Sequence, residues 1–371
     1  MESHNQSDLQ SDPEPGGVPD PLADYLARAS AGADSKRESA RERARESETH
    51  RSGFVAVIGK PNTGKSTLVN ALIGHKVAIT SDKPQTTRRR ILGILTQDEV
   101  QIVFVDTPGI HQARQALNRY MMSEVDEALG DCDAILFVVD VSRPPADDDR
   151  RIAERIVGMK QPKIVALNKS DVLDPRDVVA NVAAYEALLP AGAYAAAPAA
   201  TEAVRQSMAD AMPSSSLAST PVTMLTSATR GDNLDKLLAM IVAALPLGPQ
   251  YFPDDQATDQ TQHMLASEFI REQALRLLEQ EVPHGVAVSI DEWQLRSADL
   301  VYIAATIYVE RDSQKGILIG KGGAMLKKIG ANARREIEHE LGTKVFLELW
   351  VKVRKGWRKD DVLVRRFLEG G

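Results

Sequence analysis

From about Gly53 to Leu245 the chain alternates short apolar runs with amphipathic stretches of helical period, the pattern of a βαβ parallel sheet. The pattern predicts strands at Phe54–Ile58, Gln101–Asp106, Ala134–Asp140, Lys163–Asn168 and Val222–Thr226. Ile91–Thr96 and Gln101–Asp106 stand close enough to predict a hairpin, and so one antiparallel strand. A proline-rich stretch, Leu245 to Pro253, then marks a boundary. Beyond it the order changes: a helix over 265–280, strands over 286–296 and 300–310, two helices around a glycine loop, and a last strand over 344–354. The expected fold class is therefore α/β, a mixed but mostly parallel sheet flanked by helices, followed by a smaller α+β domain.

The expected organisation follows. Residues 1–50 form a disordered extension, with a Pro/Gly/Asp stretch and then the interleaved charges of Lys36 to Arg51. Residues 51–246 form the first domain, interrupted by a low-complexity Ala/Ser/Pro insertion at about 190–220. Residues 247–263 are a linker, 264–357 the second domain, and 358–371 a basic tail.

Composition changes this picture little. With 371 residues, 43% hydrophobic, the chain suffices for two or three domains. A net charge of −7 means that any nucleic-acid surface must be local. Cys132 is the only cysteine, which excludes an intramolecular disulfide and suits a reducing compartment. No apolar run reaches the ~20 residues of a membrane span. The acidic N-terminal stretch lacks an apolar signal core, so the expected location is the cytoplasm.

The chemistry sits at strand ends. Gly59-Lys60-Pro61-Asn62-Thr63-Gly64-Lys65-Ser66 follows the first strand and opens a helix at Thr67, the context in which G-x-x-x-x-G-K-S makes a phosphate-binding loop. Its backbone N–H groups cradle phosphate oxygens, Lys65 reaches the β- and γ-phosphates, and Ser66 is a Mg²⁺ ligand. Asp106-Thr107-Pro108-Gly109 supplies a carboxylate for Mg²⁺ and a glycine N–H for the γ-phosphate. Asn168-Lys169-Ser170-Asp171 supplies a carboxylate that pairs with the N1–H and 2-amino groups of guanine, donors that adenine lacks. Thr226-Ser227-Ala228 places Ser227 and Ala228 backbone near the base. In the second domain, Gly320-Lys321-Gly322-Gly323 is a G-x-x-G loop between helices, the mark of a KH domain. Ile317 and Ile319 before it would line a base-binding groove, and Lys321, Lys327 and Lys328 add charge. Trp357, beyond the last strand, is the better aromatic candidate for RNA; Trp350 alternates into a strand and reads as core.

Together these motifs resemble the translation-factor-related GTPases, and Asp82 to Ile91, with Pro84-Gln85-Thr86-Thr87-Arg88, closely resembles the Era family. The resemblance runs from about Gly53 to Trp357. It implies that Thr87, with Thr86 as the alternative, closes over Mg²⁺ and the γ-phosphate. It further implies GTP and GDP as ligands and a type II KH domain that binds the 3′ end of 16S rRNA. The implied role is in assembly of the small ribosomal subunit, by a monomer with possible peripheral attachment to the inner membrane face. Two rivals stand beside it: an RNA chaperone with incidental GTPase activity, and a GTPase of tRNA modification. Ile110 occupies the place where Ras-like enzymes carry a water-orienting glutamine. In related GTPases without that glutamine a P-loop asparagine binds K⁺. Asn62 holds that position, either as a K⁺ ligand or as a loop-stabilising side chain. The catalytic set so expected is Lys65, Asn62, Thr87 and Gly109.

Overall fold

The computed structural model describes residues 50–110, 115–189, 223–279 and 282–369. Apart from His50, the expected N-terminal extension lies outside these residues, as does the insertion at about 190–220.

The first domain is a six-stranded sheet in the order β2-β3-β1-β4-β5-β6. Its strands are β1 Arg51–Ile58, β2 Ile91–Gln97, β3 Val100–Asp106, β4 Ala134–Asp140, β5 Lys163–Asn168 and β6 Thr223–Leu225. Only the β2–β3 pair is antiparallel; the remaining pairs are parallel. In β3, β4 and β5 every residue is buried, because helices cover both faces of the sheet. Side chains alternate between the two layers: Val55 and Val57 of β1 pack beneath α1 (Lys65–Ile73), while Ala56 and Ile58 face α2 (Ala116–Gly130) and α3 (Asp147–Val157). Two further helices, α4 (Val178–Glu186) and α5 (Leu234–Ala244), complete the layers.

The linker is strapped to the open edge of this sheet. Ile94 N–H donates to the Ala257 carbonyl at 2.8 Å, and the Thr258 hydroxyl donates to the Leu92 carbonyl at 2.7 Å. Edge strand β2 thereby loses most of its unpaired backbone, which removes a site for unwanted strand addition.

The second domain begins with α6 (Gln262–Leu277), then β7 (Ala287–Ser297), β8 (Leu300–Val309), α7 (Asp312–Ile319), α8 (Ala324–Leu341) and β9 (Lys344–Val353). Strand β8 is central, antiparallel to β7 and parallel to β9. One sheet face packs on α6 and α8 around Phe269, Ile270, Ile303, Ile307, Ile329 and Ile337. This helix–strand–strand–helix–helix–strand order with a parallel final pair is the KH arrangement of type II.

Two expectations are corrected. The basic segment after 357 is not simply a tail: Asp361–Glu369 forms α9, which docks on the first domain through Arg119–Asp361 at 3.0 Å. Trp357 is no RNA platform. It is fully buried, its indole N–H donates to the Gly285 carbonyl at 2.9 Å, and Phe367 meets it edge-on. Val364 of α9 and Leu117 and Met121 of α2 enclose the same cluster. Periodicity could not reveal this, since part of the cluster that buries Trp357, Leu117 and Met121, comes from a helix in the other domain.

Candidate nucleotide and RNA sites

The phosphate-binding loop leaves β1 and enters α1 at Gly64, whose φ is +91°. A Cβ there would stand 2.4 Å from the Asn168 amide nitrogen, so both the backbone conformation and the space require glycine. Asn168 is the hub of the site. Its Nδ2 donates to the Thr63 carbonyl at 2.9 Å, and its Oδ1 accepts the Ala228 N–H at 3.1 Å. One buried side chain thus ties together the phosphate loop, the β5 end and the β6 end.

Lys65 is buried at the start of α1, with Nζ donating to the carbonyls of Gly59 (3.2 Å) and Lys60 (3.1 Å). Burial pulls its pKa down to about 8, against the attraction of Asp106. Lys60 is anchored by Asp149, fully buried on α3, at 2.7 Å. Pro61 and Asn62 form the outer rim of the loop, and Asn62 Nδ2 donates to the Asp82 carbonyl at 2.8 Å.

Three oxygen-bearing side chains meet beside Lys65. Ser66 Oγ donates to Asp106 Oδ2 at 2.6 Å, and Thr87 Oγ1 lies 2.9 Å from Ser66 Oγ and 3.4 Å from Asp106 Oδ2. Thr86 instead turns its hydroxyl to the Lys83 carbonyl, outside the cluster. Burial raises the Asp106 pKa to about 6, although Ser66, Lys65 and Thr87 all oppose the rise. Its Oδ1 is buried without a hydrogen-bond partner. An ionised carboxylate oxygen left bare in this way fits a hard cation. Among the described residues no group of three or more His, Cys, Asp or Glu could hold a metal. One carboxylate and two hydroxyls suit Mg²⁺ shared with phosphate oxygens. Thr107 is pinned by its hydroxyl to the Val57 carbonyl, Pro108 follows, and Ile110 N–H bonds the Gly59 carbonyl, which brings Gly109 against Pro61.

At the base end, Asp171 accepts hydrogen bonds from Ser227 Oγ (2.7 Å) and Thr229 Oγ1 (3.4 Å), so its carboxylate is aimed by the β6 turn. Lys169 is paired with Asp140 at 2.7 Å, and that pairing with the Ser142 hydroxyl holds Asp140 below the usual carboxylate range despite its desolvation.

In the second domain the Gly320–Gly323 turn joins α7 to α8. Gly320 has φ +72°, and a Cβ would lie 2.9 Å from the Met325 nitrogen, so the close turn demands glycine. Lys321, Lys327 and Lys328 are exposed along it. Ile317 is 52% exposed, whereas Ile319 packs partly into the core. Of the rings in this domain, Phe346 and Trp350 on β9 are open to solvent, so the reading of Trp350 as core is also corrected: even-numbered β9 side chains face away from the helices.

A P-loop fold with Lys65, Ser66 and Asp106 in one cluster and the Asp171 carboxylate held at a strand end by Ser227 is the architecture of a GTPase domain, here continued by a KH domain. Residues 54–169 match the 50S ribosome-binding GTPase family and residues 281–358 the KH domain family. The chain is similar to Era solved in complex with MgGDPNP and nucleotides 1506–1542 of 16S ribosomal RNA: 36% identity, TM-score 0.74, 87% of this chain and 100% of that chain. It is equally similar to a point variant of Aquifex aeolicus Era bound to GDP and AlF₄⁻, with 36% identity, TM-score 0.74, and 86% and 100% covered. The chain belongs to the Era family.

Sequence reasoning did not find Asp149, Arg88, Arg271 or Glu272 as functional. The Glu268–Glu272 stretch resembles Era in sequence, but its role depends on what it touches across the domain boundary.

Proposed function

We propose that this chain is a GTP-hydrolysing switch that binds the 3′ end of 16S rRNA through its KH domain and acts in small-subunit assembly. The observation that carries the reading is the convergence of Ser66, Thr87 and Asp106 in a chain whose relative has been solved with Mg²⁺, a GTP analogue and that RNA.

The residues divide the work. Backbone N–H groups of Gly59 to Thr67 and the Lys65 ammonium hold the phosphates, and Asp171 with Ser227 and Ala228 selects guanine. Ser66, Thr87 and the Asp106 carboxylate would hold Mg²⁺, which would supply charge neutralisation at the phosphates. Thr87 and Gly109 report the γ-phosphate to their segments, the order–disorder logic of GTPase switches. Ile110 packs into the core and has no group to orient water. We assign charge compensation there to K⁺: with its amide nitrogen engaged by the Asp82 carbonyl, Asn62 would offer its oxygen to the cation. Gly320 to Gly323, Ile317, Ile319, Lys321, Lys327 and Lys328 form the RNA groove.

The reading places the protein in the cytoplasm as a monomer, with peripheral membrane attachment carried by family membership. No helix among the described residues is long and apolar enough to cross a membrane. In-cell crosslinking with sequencing of the bound RNA tests the target. Reads concentrated at the small-subunit rRNA 3′ terminus are expected, and reads spread over transfer RNA would sink the assignment.

A further inference from the structure

The segment that carries Thr87 is held by the other domain as well as by its own. Ile79, at its start, is buried in the core of the KH domain. The Thr80 N–H donates to Glu272 Oε1 at 2.9 Å, and Glu272, fully buried on α6, also accepts Lys76 (2.7 Å) and Arg276 (2.8 Å). Arg271, also buried on α6, donates to the Thr86 carbonyl and to Glu268. Arg88 donates to the carbonyls of Val286 (2.6 Å) and His284 (3.1 Å), just before β7. The residues on either side of Thr87 are therefore both bonded to the second domain.

The clamp is costly. Arg88 and Arg271 are two buried guanidinium groups that share Glu268, and Arg88 Nε and Arg271 Nη1 have no hydrogen-bond partner. An apolar seam would hold two domains together at less expense. A polar clamp with unmet donors is suited to exchanging one set of partners for another.

We propose that Arg88, Arg271 and Glu272 are positioning residues for GTP hydrolysis, through which the KH domain sets where the Thr87 hydroxyl stands relative to Ser66 and Asp106. This rests on the GTPase reading above and adds that the catalytic site is completed from the second domain. GDP makes no demand on Thr87, so the clamp acts on hydrolysis and Mg²⁺ use rather than on nucleotide binding in general.

The test uses the full chain with Arg271→Ala, Arg271→Lys and Glu272→Gln. GDP affinity is measured by titration, and single-turnover GTP hydrolysis is followed across Mg²⁺ concentrations. GDP affinity is expected within about twofold of wild type, with hydrolysis slowed roughly ten- to a hundredfold and a higher Mg²⁺ half-saturation, because small misplacements cost that much. Arg271→Lys is expected to recover part of the loss. Intact GDP binding with unchanged hydrolysis and Mg²⁺ dependence would overturn the proposal. Should the variants lose GDP binding too, hydrogen exchange on the unmodified protein decides. Moving from GDP to a non-hydrolysable GTP analogue should change protection in both 79–88 and 265–275; a change confined to 79–88 overturns the clamp. A wild type that does not hydrolyse GTP defeats the functional reading instead, so the two failures are distinct.

Discussion

Asn168 Nδ2 donates to the Thr63 carbonyl at 2.9 Å, joining the end of β5 to the loop between β1 and α1 through one buried amide. Asn168→Ala leaves both the Thr63 carbonyl and the Ala228 N–H without their partner. Nucleotide affinity is expected to fall at least about tenfold and stability by about 1–3 kcal/mol. Isothermal titration with GDP and a denaturant melt check both; a loss of stability without a loss of affinity would show that Asn168 merely packs.

Asp106 carries the clearest pH signature. Its folded pKa of about 6 lies above the ordinary 3.8, so its ionisation opposes folding. The penalty is absent below the unfolded pKa and grows as pH rises, reaching at most about 3 kcal/mol above pH 6. In chelator, Asp106→Asn should melt higher than wild type at pH 8, with the gap closing toward pH 4. Added Mg²⁺ should raise the wild-type melting temperature at pH 8 and leave the variant unmoved. A wild type that, with GDP bound, melts no higher on adding Mg²⁺ would rule Asp106 out of the metal site.

Two of the three tryptophans, Trp357 and Trp350, separate packing from recognition. Trp357→Ala empties a fully buried site and should cost about 3–5 kcal/mol in a denaturant melt. Trp350, 56% exposed, should leave the melt unchanged when replaced by alanine. If its open ring stacks a base, RNA binding weakens by about 1–3 kcal/mol. Unchanged RNA affinity in Trp350→Ala would leave that sheet face without a role in binding.

Turnover in KCl is expected to exceed turnover in NaCl, and Asn62→Ala should remove the difference while retaining GDP binding. Equal rates in the two salts with wild-type protein would assign Asn62 only to its hydrogen bond with Asp82.

The local elements were legible in the chain because each depends on near neighbours. Val55 to Ile58 alternate between two apolar layers, Gly64 sits where a strand turns into a helix, and the antiparallel β2–β3 hairpin follows from its short turn. Pairing across the sheet was legible only as a class: β1 lies between β3 and β4, an order set by packing and not by any stretch of residues.

What the amino-acid sequence by itself determined is where the phosphate-loop, Asp106 and Asn168 motifs fall, at the ends of strands, because each motif is a short stretch at fixed spacing directly after an apolar run. Only the tertiary structure decided how the two domains meet. Trp357 stood out as a candidate for RNA until α2 and α9 closed over it, and nothing local in the chain shows that Arg271 reaches the Thr86 carbonyl. Burial and long-range hydrogen bonds are properties of surfaces brought together from distant parts of the chain, and no local pattern encodes which surface a residue will meet.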